Sequence, residues 1–278
     1  MTSDGQVGVR LRLDLAYDGT DFSGWAAQPG RRTVQSVLED ALTLVTRADD
    51  PLRLTVAGRT DAGVHATGQV AHVDVPLDTE LDGLHRRLQG RLPDDIAIHD
   101  LSVAPPGFDA RFAALGRRYH YRVTDGVPDP LRRRDTLTWR RPLDMAAMAA
   151  AAAGLIGEHD FVAYCRPRDG ATTVRTLRRL DVSRDVTDVI IVEAEADAFC
   201  HHQVRSMVGA LLSVGEAGRS PGWPAEVLRG TVRDSSVQVA AAHGLTLVGV
   251  DYPEADGLLA RVAEARRRRR SSSSRFHE

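Results

Sequence analysis

The sequence predicts an α+β protein made of two similar halves, and three observations carry that prediction. Apolar residues alternate with polar ones in several short runs, they recur at helical spacing in others, and the order of runs in the first half returns in the second. Val9, Leu11, Leu13, Leu15 and Tyr17 alternate with Arg10, Arg12 and Asp14, the period of a strand with one buried face. Asp18-Gly19 and Gly24 mark a turn region. Val34, Val37, Leu38, Ala41 and Val45 then share one helical face, so Thr33 to Ala48 is expected to be an amphipathic helix. Leu52, Leu54 and Val56 predict a second strand, and Ala71, Val73 and Val75 a third. Leu81, Leu84 and Leu88 suggest a helix ended by Pro93, and Ile96 to Val103 a closing strand.

The second half follows the same order. Arg117 to Thr124 alternates through Tyr119, Tyr121 and Val123, and the alanine-rich run Leu143 to Ile156 reads as a helix stopped by Gly157. Val174 to Val182 and Val189 to Ala196 are two strands separated by Asp185 and Asp188. His201 to Val214 carries Val204, Val208, Leu211 and Leu212 on one helical face, and Leu245 to Val250 is the last strand. Each half is therefore β-α-β-β-α-β, the ferredoxin-like order. Two such copies side by side would make a continuous sheet with a central cleft. The Pro- and Gly-containing stretch 104–109 divides them. The expected organisation is a disordered N-terminus at 1–8, a half at 9–104, a junction at 105–116, a second half at 117–253 and an Arg/Ser-rich tail at 254–278. From Arg266 that tail holds too few apolar residues to offset the entropy of ordering, so disorder is expected.

Composition narrows the chemistry. The 278 residues suffice to bury cores without cross-links or metals, and two cysteines, Cys165 and Cys200, exclude a disulfide framework. No apolar run is long enough to span a membrane, and Met1 to Gly8 lacks the apolar stretch of a secretory signal, so a reducing cytoplasm is the expected home. All 36 basic residues are arginine. A phosphate loop needs its lysine and a Schiff base needs an amine, so both chemistries are excluded. Six arginines and one carboxylate fall in 266–278, which leaves 1–265 with 30 arginines against 37 carboxylates, a formal charge of −7. Any nucleic-acid site must then be a local arginine-lined patch.

The stretch richest in chemistry is Ala57-Gly58-Arg59-Thr60-Asp61-Ala62-Gly63-Val64-His65, followed by Gly68-Gln69-Val70. It connects two expected strands. Glycines frame Asp61, where a carboxylate can be held at the floor of a pocket, and Arg59 stands close enough in sequence to keep it ionised. The pairs His65/His72 and His201/His202 invite a metal reading, but none has the ligand spacing of a metal site, and packing or RNA contact suits them better.

That stretch closely resembles the signature of the tRNA pseudouridine synthase A family. The likeness continues in Tyr17-Asp18-Gly19 with Phe22-Ser23-Gly24-Trp25, in Thr33-Val34-Gln35, and in Leu92-Pro93-Asp94-Asp95-Ile96. Phe108-Asp109-Ala110-Arg111-Phe112 and Arg117-Arg118-Tyr119-His120-Tyr121 resemble the family's junction. Glu158-His159-Asp160-Phe161, Arg175-Thr176, and Phe199 to Arg205 with Met207-Val208-Gly209 match its second half, so the resemblance runs collinearly from Leu11 to Tyr252. It implies the pseudouridine synthase fold, a homodimer, no cofactor, no metal, and isomerisation of uridine at positions 38 to 40 of the tRNA anticodon stem-loop. Asp61 matches the family nucleophile, which attacks C1′ as the N1–C1′ bond breaks or removes the 2′ proton on a glycal route; the sequence leaves both open. Tyr119 matches the tyrosine that stacks on the target base, as an extruded base requires. Arg205 matches the arginine paired with the nucleophile, while Arg59 is expected to position the target nucleotide and Arg175 the neighbouring backbone. The expected RNA site is a groove formed across the dimer and lined by arginine from both halves.

The chain departs from the pattern at Trp25-Ala26-Ala27-Gln28, at Leu88-Gln89-Gly90-Arg91 and at Cys200, none of which touches the nucleophile position. Two other functions compete. A tRNA-binding module without catalysis would leave Asp61 replaceable. A uridine glycosidase would need a second working carboxylate, for which Asp74 is the available residue.

Overall fold

The computed structural model describes residues 8–166 and 172–274. The expected disordered N-terminus, apart from Gly8, and the end of the tail beyond 274 lie outside the described residues. The chain divides into two compact units, the first running through Ala114 and taking in Tyr252–Arg266, the second centred on Leu115–Asp251.

The first unit contains β1 (Gly8–Tyr17), α1 (Val34–Thr46), β2 (Thr55–Val56), β3 (His65–Pro76), α2 (Leu84–Gln89) and β4 (Ile96–Val103). Its strands lie in the order β4-β1-β3-β2, every neighbour antiparallel, with Leu13 opposite both Ala71 and Leu101. The alternation of β1 does what its sequence dictates. Leu11, Leu13, Leu15 and Tyr17 are buried, each aliphatic side chain contributing about 2 kcal/mol, while Arg10 and Arg12 on the other face pair with Asp74 and Asp14 at 2.7 and 2.8 Å. Thr33 caps α1 through a capping box with Ser36, and Val34, Leu38, Ala41 and Leu42 form its buried stripe.

The expected second strand is shorter than its apolar alternation suggests. Leu52 and Leu54 are buried as anticipated, but their backbone donors go to α1: Leu52 N–H donates to Thr43 Oγ1 at 3.0 Å and Leu54 N–H to Glu39 Oε1 at 2.8 Å. The carboxylate of Glu39 also accepts from Gln35 and Arg53, which satisfies a buried charge. Only Thr55 and Val56 are left to pair with β3.

The second unit contains β5 (Gly116–Thr124), β6 (Leu137–Thr138), α3 (Met145–Ala153), β7 (Gly157–Asp160), β8 (Val174–Arg184), β9 (Ile190–Ala196), α4 (Gln203–Gly215), α5 (Trp223–Leu228) and β10 (Leu245–Asp251). Its antiparallel order is β10-β5-β9-β8-β7, with the short β6 parallel to β5. The first four of these strands repeat the arrangement of the first unit: last, first, third, second. The ferredoxin-like reading of both halves is thus met, with β6, β7 and α5 as additions. α4 is buried on nearly all sides.

Two findings correct the sequence reading. The segment after 254, expected to be a disordered tail, forms a 3-10 turn and then the helix α6 (Leu258–Ser274). Leu258 is buried, and the run Leu258 to Arg270 is rich in strong helix formers, so the helix has an anchor and favourable propensity. The two cysteines form one disulfide, Cys165–Cys200, with Cα atoms 5.8 Å apart, a single cross-link where the sequence reading excluded a disulfide framework. No helix among the described residues is long and apolar enough to cross a membrane.

Candidate active site

Asp61 lies in the loop between β2 and β3, half-buried, and its carbonyl accepts the N–H of Val64 at 3.1 Å, closing a turn around it. The loop is held from below by a buried polar group. Tyr17, the last residue of β1, bonds Thr60 Oγ1 at 2.8 Å, next to the aspartate. Gln69 of β3, fully buried, donates through Nε2 to the Gly58 carbonyl at 2.9 Å and to the Tyr17 hydroxyl at 3.2 Å. Burial pushes the Tyr17 phenol up to about 12, against the opposing pull of its bonds to Thr60 and Gln69, so the ring stays neutral. Above, Trp25 N–H donates to the Thr60 carbonyl at 3.1 Å. Gly24, at φ +91°, lets that strand of backbone approach: a Cβ there would sit 3.0 Å from Thr60 O and 3.1 Å from Ala62 N.

His65 and His72 are structural. His65 Nδ1 accepts from Gly19 N–H at 3.0 Å and His72 Nδ1 from Ala110 N–H at 3.0 Å, so each ring closes a backbone gap. Arg59, on the same loop as Asp61, is exposed.

The remaining candidates belong to the second unit. Tyr119 sits on β5 between Ala194 and Leu247, its ring edge-on to Phe199 at 5.3 Å. Arg205 is in the first turn of α4, where its Nε donates to Ala240 O at 2.8 Å and its own carbonyl accepts from Ala240 N–H. Arg175 opens β8 and is folded back on its own strand: its guanidinium donates to the carbonyls of Val174 and Thr172, and burial lowers its pKa. The structure therefore groups Asp61 with Arg59 on one loop, and places Tyr119, Arg175 and Arg205 on three separate elements of the other unit. Phe199, Tyr17 and Gln69 were not singled out as site residues from sequence. A glutamine at a strand position followed by Val70 and Ala71 was the available signal for the last.

Buried Tyr17, Gln69 and Thr60 thus fix the backbone that carries the half-buried Asp61, an arrangement able to present an acid group to a ligand. Comparison with known proteins narrows this. The family model described as tRNA pseudouridine synthase matches residues 15–113 and 151–253. A tRNA pseudouridine synthase A of Frankia casuarinae is 63% identical over 260 residues, covering 93% of this chain and 94% of the relative. One from Streptomyces avermitilis is 56% identical, covering 97% of each, and one from Mycobacterium leprae 49% identical, covering 93% and 94%. A chain of a Cbf5-Nop10-Gar1 complex overlaps with a TM-score of 0.31 at 10% identity, over 73% of this chain and 54% of that one. The chain belongs to the tRNA pseudouridine synthase family, and is an isomerase acting on uridine in tRNA.

Proposed function

We propose that the chain converts uridine to pseudouridine at positions 38, 39 and 40 of the tRNA anticodon stem-loop, with Asp61 as the nucleophile. The observation that carries the reading is the glycine-backed loop held from both sides, which leaves the Asp61 side chain half-exposed on an otherwise immobilised backbone. Preorganisation of this kind is what a group attacking one atom of a bound nucleotide requires. The carboxylate bonds to C1′ as the N1–C1′ bond breaks, uracil turns over, C5 displaces the carboxylate from C1′, and the C5 proton is lost while N1 takes one up. Tyr119 offers the aromatic face for the extruded base. Arg205 is the partner of the carboxylate, Arg59 positions the target nucleotide, and Arg175 the neighbouring backbone. The enzyme works as a homodimer in the cytoplasm, without cofactor or metal.

The test is tritium release from C5-labelled uridine in an unmodified tRNA transcript carrying uridines at 38 to 40. Wild type releases tritium without added cofactor, and Asp61→Ala binds the transcript but releases none. Binding by both proteins with release by neither makes the chain a tRNA-binding module. Full activity in Asp61→Ala removes the nucleophile assignment.

A further inference from the structure

Tyr17 and Gln69 are fixed to the Asp61 loop at two points, Thr60 and Gly58, both just before the aspartate. Gln69 Nε2 has two protons; one goes to the Gly58 carbonyl and the other to the Tyr17 hydroxyl. Having accepted there, the Tyr17 hydroxyl has its own proton for Thr60 Oγ1, 2.8 Å away. Gln69 Oε1 accepts the N–H of Val70 at 3.2 Å, which fixes which way the amide faces. All three side chains are buried, and Gln69 is inaccessible to solvent. The relay therefore runs Val70, Gln69, Tyr17, Thr60 through buried groups, with a part-buried branch to Gly58.

Such a chain is costly as mere scaffold, because apolar side chains of the same shape would fill the space without desolvating three polar ones. What it adds is direction. Gly58 and Thr60 lie three residues and one residue before the aspartate, so fixing both sets the position of the Asp61 Cα and the direction in which its carboxylate leaves the backbone. We propose that Tyr17 and Gln69 are positioning residues for catalysis, holding Asp61 in register with the target C1′. The proposal rests on the reading of Asp61 as the nucleophile.

The test is single-turnover kinetics on the tRNA transcript with Tyr17→Phe and Gln69→Met, two near-isosteric changes, measured beside Asp61→Ala. A displacement of the carboxylate by a fraction of an ångström costs on the order of tenfold in rate, and more as it approaches 1 Å. The expected result is a loss of ~10-fold or more in the chemical step for each variant, with the half-saturating tRNA concentration within about twofold of wild type. Removing both should cost little more than removing one, since the relay acts as a unit. Rates within twofold of wild type in a folded Tyr17→Phe overturn the proposal, even if melting temperature falls. So does a change confined to tRNA affinity. If Tyr17→Phe fails to fold, Gln69→Met reads the same relay from its other end under the same criteria. An active Asp61→Ala overturns the nucleophile reading instead. An inactive Asp61→Ala beside unaffected Tyr17→Phe and Gln69→Met overturns the relay alone.

Discussion

At the scale of the residue, the buried histidine of β3 shows how charge is kept out of the first unit. His72 accepts from Ala110 N–H through Nδ1, which requires that nitrogen to be unprotonated. Burial lowers its pKa to about 4, Arg10 reinforces the shift, and Asp109 and Asp74 oppose it. In the unfolded chain the ring takes its proton near 6.5. Between these values the unfolded state binds a proton that the folded state does not, so stability present above pH 6.5 is lost as pH falls towards 4. The expected loss is ~2–3 kcal/mol across that window. Urea denaturation at pH 7 and pH 4.5 measures it, and His72→Asn should flatten much of the slope. From sequence, His72 was visible only as half of a metal-like pair; its real role depends on Ala110, 38 residues away, which no local pattern reports.

At the scale of the element, α4 illustrates tight packing that has a predictable cost. Gly209 lies in the middle of the helix, where alanine would ordinarily gain about 1 kcal/mol of helix propensity. Here a Cβ would fall well inside contact distance of the Gln238 carbonyl, which is backbone and cannot swing away. Overpacking of this kind costs ~1–3 kcal/mol, so the clash outweighs the propensity and Gly209→Ala should lower the melting temperature by several degrees. Gly90→Ala, where the nearest atom beyond the neighbours is 3.4 Å away, is the control that should change little. Because Arg205 shares α4 and bonds Ala240, activity should fall along with stability in the first variant only. Most elements were readable from periodicity, since β1, α1, β5, β9 and α4 each carry one clear apolar face. The failures have physical causes. β2 lost its expected first residues to side chains of α1, which compete for the backbone donors of Leu52 and Leu54. α6 was hidden because a run of arginines looks like a solvated tail until one sees that Leu258 is buried at its start. The candidate site divides the same way: the Asp61 loop stood out by its residues, while the Tyr17–Gln69 relay beneath it is formed by strands brought together in the sheet.

At the scale of the whole molecule, the first unit is completed by the last part of the chain. Arg12 lies over the rings of Phe108 and Tyr252, 5.3 and 5.2 Å from their centroids, and the Tyr252 hydroxyl donates to Ala110 O at 2.7 Å. Arg261 adds a bond to the Ala114 carbonyl. Tyr252→Ala removes one ring face, one cation–π contact and one hydrogen bond, for a cost of about 2 kcal/mol. The measurement is a chemical-denaturation midpoint, and an unchanged midpoint would show that the returning segment lends the first unit no stability.

That closure has a temporal side. A ribosome emits about 5–20 residues per second, so roughly seven to thirty seconds separate the appearance of Ala114 from that of Tyr252. A first unit that folds in that interval does so without the piece that covers Arg12 and Phe108. Such a unit carries a half-dressed aromatic surface until the final stretch emerges, an opening for a chaperone that recognises surfaces of this kind.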